Sequence, residues 1–303
     1  MTDNIIKKYV PYFRKWLNRC FLCLKWLFVL SLLWPILQIT TFAHFTVPTG
    51  SMLPTLLPGD HILVNKWIMG GRIFNLHDAI EGKEVEIFRL PGLGKITRND
   101  VLVFNYPYNH SQDSISMDIM SYYVKRCVAL PGDTFEIKKG HNKIYGMEKG
   151  VLGNLYGQNQ LEQLAKTKGM DCLKMYSSCF PNDSILNWDI ANFGPIFLPS
   201  KESNVVMNKW NATIYRNIIE WEQKGRLLIQ GDNVYLRDSL INEYRFQKNY
   251  YFVMGDNVLD SQDSRFWGLL PEEYIVGKAT RIWKSIDKTT GRIRKERMFK
   301  KIH

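Results

Sequence analysis

The stretch "VPTGSMLPTLLPGD", residues 47–60, carries the feature on which the fold and the chemistry of this chain depend. It places one serine, Ser51, between a glycine and a run of apolar residues and prolines. A serine hydroxyl is a weak nucleophile at neutral pH and needs a positioned base before it reacts. The serine also follows, by only a few residues, a segment apolar enough to cross a membrane. Two things need explaining: which group is the base, and why the serine lies beside a membrane.

The apolar segment "WLFVLSLLWPILQITTFAHF", residues 26–45, is 20 residues long and contains no Lys, Arg, Asp or Glu. About 20 apolar residues span the hydrocarbon core of a bilayer as a helix. We therefore predict a basic cytoplasmic segment at 1–25 and a single transmembrane helix at 26–44. The six Lys/Arg before the helix predict a cytoplasmic N-terminus, with everything after the helix at the outer face of the cytoplasmic membrane. A cleavable signal sequence is one alternative, and a buried helix of a soluble protein is the other, because Pro35 and Gln38 interrupt the apolar run.

The formal net charge of +11 is concentrated at the two ends of the chain. Residues 1–25 carry +5 and residues 278–303 carry +8, so the remaining body is close to neutral at −2. Basic ends on a neutral body suit contact with anionic lipid headgroups, whereas a nucleic-acid-binding protein needs a basic groove. We expect a lipid bilayer and no nucleic acid among the partners. For the C-terminal segment, a solvated basic tail is the alternative.

Beyond residue 45 the chain is rich in β-branched and aromatic runs that end at Gly, Pro, Asp or Asn, which predicts strands. Two further stretches, 159–169 and 210–225, suit short helices. The predicted strands are residues 100–107, 122–133, 193–200 (bent), 226–236 and 250–257.

The stretch 154–222, which contains the two possible helices and the bent strand, is ambiguous in its pattern. We therefore predict a mostly β, antiparallel core formed by 45–138 and 246–303, interrupted by an inserted second domain at 139–245. Within the insertion, Cys172 and Cys179 could close a short disulfide loop in an oxidising exterior, worth about 2–3 kcal/mol. Two free thiols are the alternative.

The base is sought first among the six histidines, none of which lies in a recognisable catalytic motif. The sequence around Ser51 also does not fit the G-x-S-x-G elbow of α/β-hydrolases. Lysine is the other candidate. In "YYVKRCVALPGD", residues 122–133, strand alternation places Lys125 on the same face as the small Cys127 and Ala129. A lysine buried there would lose hydration, and a fall of its pKa from about 10.4 to about 7 corresponds to roughly 4–5 kcal/mol. A surface lysine beside a surface arginine, Arg126, is the alternative.

Four blocks of the sequence resemble, in order, those of the bacterial type I signal peptidases, which are membrane-bound serine proteases with a Ser/Lys dyad. Together with the apolar segment they cover roughly the first 65 residues, 95–135 and 250–284. The resemblance implies a barrel-like β catalytic core, with an inserted second domain and an N-terminal transmembrane helix. The blocks are "VPTGSMLPTLLPGDHILVNK", "ITRNDVLVFNYP", "YYVKRCVALPGD" and "YFVMGDNVLDSQDSRFWGLLPEEYIVGKA".

The resemblance assigns roles by position. It implies that Ser51 is the nucleophile and Lys125 the general base. The N–H of Ser51 and the hydroxyl of Thr49 match the oxyanion donors. Ser261 matches a serine that hydrogen-bonds to the lysine and orients it. The resemblance also implies a polar pair that supports the site and apolar pockets that bind the substrate. The supporting pair is Asp263 and Arg265, and the pockets are lined by Phe45, Val47, Met52, Leu56 and Val124.

Such pockets suit small residues such as alanine at the first and third positions before the cut. One departure is present: Val258 and Leu259 stand where the family more often has polar residues such as Arg and Asp, which puts in doubt any salt bridge from those positions. The dyad is unaffected.

The function expected is therefore removal of signal peptides from exported precursor proteins, with those precursors, the lipid bilayer and the nearby export translocon as partners. No metal, nucleotide or other cofactor motif occurs in the sequence, so none is expected. Two alternatives stay open. A soluble self-cleaving regulator of the related Ser/Lys class would carry a DNA-binding helical module where this chain has its apolar segment. A membrane-anchored, non-catalytic β-domain would tolerate loss of Ser51 or Lys125.

Overall fold

The computed structural model of the chain describes residues 2–81, 83, 85–108, 114–147, 150–168 and 179–303, with the backbone alone for 2–13, 35–40 and 168. The helices are α1 Thr2–Thr40, α2 Leu76–Ile80, α3 Leu155–Lys168, α4 Lys209–Gln223 and α5 Ser264–Trp267, with 3-10 turns at Glu272–Tyr274 and Lys295–Arg297. The strands are β1 Phe42–Thr46, β2 Asp60–Asn65, β3 Arg72–Ile73, β4 Phe88–Arg89, β5 Val101–Tyr106, β6 Asp118–Ala129, β7 Thr134–Lys138, β8 His141–Ile144, β9 Phe193–Phe197, β10 Asn204–Val206, β11 Leu227–Gln230, β12 Asn233–Leu236, β13 Ser239–Leu240, β14 Glu243–Arg245, β15 Tyr250–Met254, β16 Leu270–Pro271 and β17 Ile275–Ser285.

The N-terminal helix α1 contains an apolar window, Arg14–Trp34, that is long and apolar enough to cross a membrane and is not buried by the rest of the chain. The helix differs from the predicted span of 26–44 at both ends. It begins well before residue 26, within the basic segment, and it ends at Thr40. The predicted end at residue 44 is wrong because "FAHFT" pairs with β2 as the edge strand β1, and the β-branched run before it lowers helix propensity.

The main sheet has seven antiparallel strands in the order β1-β2-β17-β5-β6-β15-β16. The predicted strands at 100–107, 122–133 and 250–257 are confirmed as β5, β6 and β15. Strand β5 is buried over five of its six residues, as a continuous apolar run requires. A small apolar cluster lies under the Ser51 loop, and it is composed of Val47, Met52, Leu56, Ile62, Val64, Val101, Val103, Val276, Ala279, Ile282 and Ile302. The Ser51 loop is therefore seated on packed side chains rather than on solvent.

The segment between β7 and β15 contains the two predicted helices, which are α3 and α4, and the predicted bent strand, which is β9. The run 226–236 is not one strand but a hairpin, β11–β12, because Gly231 takes a left-handed φ of 63° and reverses the chain. Side chains of this segment share one hydrophobic cluster with the main sheet: Phe193, for example, lies 5.4 Å from Phe252 between ring centroids. The division into a core and a domain at 139–245 stays a prediction, and Cys172, with its predicted bridge, lies outside the described residues.

The basic C-terminal segment is ordered against the sheet, and six of its ten Lys and Arg side chains are exposed. Arg297 donates to both carboxylate oxygens of the fully buried Asp60, at 3.1 and 2.6 Å. The side chain of Ile302 is buried in the small apolar cluster, and its N–H donates to the carbonyl of Thr280 at 3.0 Å. These contacts return the end of the chain to β2 and β17.

Candidate active site

Ser51 and Lys125 come together from two different parts of the main sheet. Ser51 lies in the loop between β1 and β2, and Lys125 lies in β6. The Nζ atom of Lys125 is 2.6 Å from the Oγ atom of Ser51, a short hydrogen-bond distance. Lys125 is only 4% exposed. The hydroxyl therefore has an amine in position to exchange a proton with it.

Burial controls the protonation of this amine. Loss of hydration lowers the pKa of Lys125 from its ordinary value of 10.5 to about 8, although the nearby Asp263 carboxylate opposes the change. Cys127 and Ala129 on the same strand are fully buried, so this part of β6 faces the interior. The pKa thus falls in the direction that the sequence predicts for a base, to a value about one unit above neutrality.

The neighbour of the lysine, Arg126, is also buried, so the alternative of a surface lysine beside a surface arginine is wrong. Its Nε and Nη2 atoms donate to the two oxygens of Asp256 at 2.7 and 2.6 Å. Asp256 also accepts a hydrogen bond from the hydroxyl of Thr55 at 2.5 Å. The network ties β6 to the loop after β15 and to the turn after Ser51. Sequence reasoning missed Asp256 and Thr55, although Asp256 lies in the motif "GDN" and Thr55 in the motif "TGSMLPT", both within the blocks that carry the resemblance.

The loop after β15 holds the Ser51 loop directly. The N–H of Asn257 donates to the main-chain oxygen of Ser51 at 3.1 Å, and its side-chain Nδ2 donates to the carbonyl of Gly50 at 3.2 Å. At Gly255 an added Cβ would lie 2.5 Å from the main-chain oxygen of Ser51 and 2.2 Å from Oγ of Ser261. Only glycine allows the two loops to approach this closely.

Asp263 and Arg265 form a fully buried pair near the lysine, with 2.9 Å between Nε and Oδ1 and 2.9 Å between Nη2 and Oδ2. Asp263 also accepts from the N–H of Gly255 at 3.0 Å. The guanidinium and this N–H keep the pKa of Asp263 below its ordinary value despite its burial. Ser261 is buried beside Gly255, and within the described residues its hydroxyl has no hydrogen-bond partner, Lys125 included. Its orienting role stays a prediction.

An open cleft of about 610 Å³ leads to Ser51 and Lys125. Four of the five predicted pocket residues, Phe45, Val47, Met52 and Val124, line it. The fifth, Leu56, does not: its side chain is fully buried in the apolar cluster under the loop. Leu56 lies one turn after Met52, and its N–H donates to the Met52 carbonyl at 2.9 Å. The cleft is completed by Thr46, Pro48, Thr49, Met120, Ser121, Tyr122, Tyr123, Asp260 and Gln262.

Two strand edges face the cleft. Strand β1 is the edge strand of the sheet, and its pairing is with β2. In β6, residues 126–129 pair with β15, but the part from Asp118 to Lys125 is paired with β5 alone in the described sheet. Unpaired N–H and C=O groups on strand edges accept an extended peptide as an added strand. The walls of the cleft are therefore suited to an extended chain.

Thr49 and the N–H of Ser51 belong to the loop that carries the candidate nucleophile. Thr49 is exposed and lines the cleft. Within the part of the chain that the structure describes, neither the Thr49 hydroxyl nor the Ser51 N–H is hydrogen-bonded to another protein group. Both donors are thus available to a ligand in the cleft.

The histidines that the structure describes do not contribute to this site. None of them lines the cleft, and His44 and His61 both lie against Trp283, at centroid distances of 5.7 and 5.8 Å. Across the described residues, no group of three or more His, Cys, Asp or Glu side chains is arranged to hold a metal ion.

Comparison with known proteins gives one consistent result. The family described as signal peptidase, peptidase S26, matches residues 20–284. Signal peptidase I of Buchnera aphidicola subsp. Schizaphis graminum is 31% identical over 261 residues, which are 82% of this chain and 69% of the relative. Signal peptidase I of Aquifex aeolicus is 30% identical over 246 residues, 80% of this chain and 75% of the relative. Signal peptidase I of Haemophilus influenzae is 28% identical over 285 residues, which are 86% of this chain and 70% of the relative.

Proposed function

The chain belongs to the signal peptidase family, peptidase S26, and we propose that it removes N-terminal signal peptides from exported precursors with Ser51 as nucleophile and Lys125 as general base. One observation carries the proposal. A serine hydroxyl lies 2.6 Å from the amine of a lysine that is 4% exposed, at the end of an open cleft. An amine of lowered pKa within reach of a hydroxyl is what a serine nucleophile needs in place of histidine.

The steps follow from this geometry. Neutral Lys125 accepts the proton of Ser51 as Oγ attacks the carbonyl carbon of the scissile peptide bond. The negative charge that develops on the carbonyl oxygen is stabilised by the Ser51 N–H and the Thr49 hydroxyl, the two donors left unpaired in the cleft. The lysine ammonium then gives its proton to the leaving amine, and an ester forms between Ser51 and the signal peptide. A water that gives its proton to the same amine hydrolyses the ester and releases the enzyme.

The substrate is an extended segment that ends a signal peptide. Main-chain pairing with the open edges of β1 and β6 would hold it, since these edges flank the cleft. Val47, Met52 and Val124 form shallow apolar surfaces near Ser51 that leave room for small residues such as alanine at the first and third positions before the cut. Larger side chains there would meet the packed cluster under the loop.

We place the active site at the outer face of the cytoplasmic membrane, with α1 as a single anchor and the N-terminus in the cytoplasm. The apolar window of α1 and the basic residues on its N-terminal side support this orientation. Only one residue separates α1 from β1, so the cleft begins close to the membrane. A signal peptide, anchored in the same bilayer by its own apolar core, emerges at that level near the export translocon. The barrel-like closure of the sheet and an inserted domain at 139–245 belong to the same proposal.

Detergent-solubilised protein should cleave an exported precursor after an Ala-x-Ala sequence, and the Ser51→Ala and Lys125→Met variants should lose this activity by at least about a thousandfold. Ser239→Ala and Lys300→Met are matched controls, because both residues are exposed and neither lines the cleft. The controls should retain wild-type rates. Equal cleavage by wild type and the Ser51 or Lys125 variants would overturn the assignment.

A further inference from the structure

One carboxylate in the cleft has no role in the proposed chemistry. Asp260 lines the cleft, and its side chain is exposed. Among the lining residues that the structure describes, Asp260 and Lys125 are the only Asp, Glu, Lys or Arg. Across the residues that the structure describes, the Asp260 carboxylate makes no ion pair or hydrogen bond with another side chain. When Lys125 is neutral, as a base must be, Asp260 carries the remaining full charge of the cleft.

The position of this carboxylate is fixed relative to Ser51. The N–H of Asp260 donates to the carbonyl of Asn257 at 3.0 Å, and Asn257 is in turn bonded to Ser51 and Gly50 through its N–H and its side chain. The Oδ2 atom of Asp260 lies 4.0 Å from the place that a Cβ on Gly50 would occupy. The neighbouring residues are equally restrained, because Ser261 is buried and Asp263 is locked to Arg265. The charge is thus held beside the nucleophile by a clamped turn and is not on a free loop.

We propose that Asp260 determines specificity by selecting precursors with a basic, and against those with an acidic, side chain at the first two positions after the cut. The inference rests on the proposed function of the cleft. An unpaired carboxylate attracts a Lys or Arg side chain and repels Asp or Glu, and the repulsion adds to the discrimination.

The placement after the cut follows from the elements that form the walls. The apolar surfaces assigned to residues before the cut come from the loop between β1 and β2, as Val47 and Met52, and from β6, as Val124. Asp260 comes from a different element, the loop after β15, together with the neutral Gln262. An extended peptide advances about 3.3 Å per residue, so one or two residues beyond the scissile bond reach a group that lies beside Gly50.

A second effect of the same carboxylate gives an independent measurement. Asp260 is one of the groups whose negative charge raises the pKa of Lys125, against the larger effect of burial. Removing the charge should therefore lower the apparent pKa of the acidic limb of kcat/KM. A residue that only supports the turn would not shift this limb.

The test uses the full-length protein in detergent and three peptides that differ only at the first position after an Ala-x-Ala site, with Lys, Gln or Glu there. A second set carries the same changes at the second position after the cut, and a third set carries them at the second position before it. Wild type should cleave the Lys peptide with a kcat/KM about five- to tenfold above the Glu peptide in the first two sets. High salt should reduce this ratio, because exposed charges are screened.

Asp260→Asn should bring the Lys-to-Glu ratio close to one, and Asp260→Lys should invert it. Asp232→Asn is the control, since Asp232 is exposed in the β11–β12 turn and does not line the cleft, and it should keep the wild-type ratio. Equal cleavage of all peptides by wild type, or a preference only in the set changed before the cut, would overturn the inference while the proposed function stands. Failure of wild type to cleave even the Gln peptide would instead overturn the proposed function.

Discussion

Replacing Gly255 by alanine tests whether the distance between Ser51 and Lys125 is set by the loop after β15. The new Cβ would lie 2.5 Å from the main-chain oxygen of Ser51 and 2.2 Å from the Oγ of Ser261. Such non-bonded contacts are not closer than about 3.0 Å in packed proteins, so the Ser51 oxygen must retreat by at least about 0.5 Å. The main chain of Lys125 cannot follow, because β6 is paired with β5 throughout this region. A misplacement of about 1 Å can cost about a hundredfold in rate, so we expect kcat to fall about 10- to 100-fold.

The assay is steady-state cleavage of an Ala-x-Ala peptide, with thermal unfolding measured on the same samples. The KM of Gly255→Ala should stay within about twofold of wild type, because the walls that β1 and β6 form on either side of the cleft are not moved. Gly94→Ala is the matched control: its Cβ would meet only Ile68, at an ordinary distance of 3.4 Å, and its backbone is not left-handed. A wild-type kcat for Gly255→Ala, in a protein that unfolds cooperatively, would refute the view that this close approach fixes the reacting groups.

The charges around Lys125 lead to three more predictions. The acidic limb of kcat/KM should have an apparent pKa of about 8, since the amine must lose its proton to act, and a limb near 10 would show that it is not desolvated. Lys125→Met should raise the free energy of unfolding at pH 7, measured by chemical denaturation, by about 3 kcal/mol. Because the native pKa of Lys125 is lowered, the cost of the buried ammonium is fully present below pH 8 and disappears as the pH rises to 10.5. An equal gain in the free energy of unfolding at about pH 11 would contradict this. Asp256→Asn should destabilise the protein by about 3–5 kcal/mol, because it leaves Arg126 buried and unpaired, and a loss below about 1 kcal/mol would show that the pair is not structural.

The sequence predicted the elements with strong local patterns. Strands β5, β6 and β15 and helices α3 and α4 were all recognisable, because their periodicity is set by the residues within each element. The end of α1 was not, because "FAHF" is as apolar as the helix before it and becomes a strand only by pairing with β2. Likewise, the run 226–236 has uniform strand composition, and its reversal depends on the backbone of Gly231. The end of α1 and the reversal within 226–236 therefore depend on strand pairing and on one glycine, which composition alone does not reveal.

The candidate site divides in the same way. Strand alternation placed Lys125 on the face of the small Cys127 and Ala129 but left a surface lysine as the alternative, and in the structure Lys125 is buried and contacts Ser51. The same reasoning could not find the partner of Arg126, because Asp256 lies 130 residues away and meets it only when β15 pairs with β6. It also could not separate Leu56 from Met52, since both are apolar residues of one turn, and only packing shows which side chain faces the cleft.

The arrangement of carboxylates is consistent with the role of base that we propose for Lys125. Asp263 and Asp256 both raise the pKa of Lys125 by their charge, and a direct contact with either would hold the amine protonated. Each is instead occupied by a guanidinium: Asp263 by Arg265 and Asp256 by Arg126, through two hydrogen bonds apiece. The two ion pairs give each carboxylate a guanidinium as its hydrogen-bond partner in place of the Lys125 amine. The positive charge of Arg265 also lowers the pKa of Lys125. The two arginines therefore leave desolvation as the dominant influence on Lys125, which is the condition under which a lysine can take a proton from serine near neutral pH.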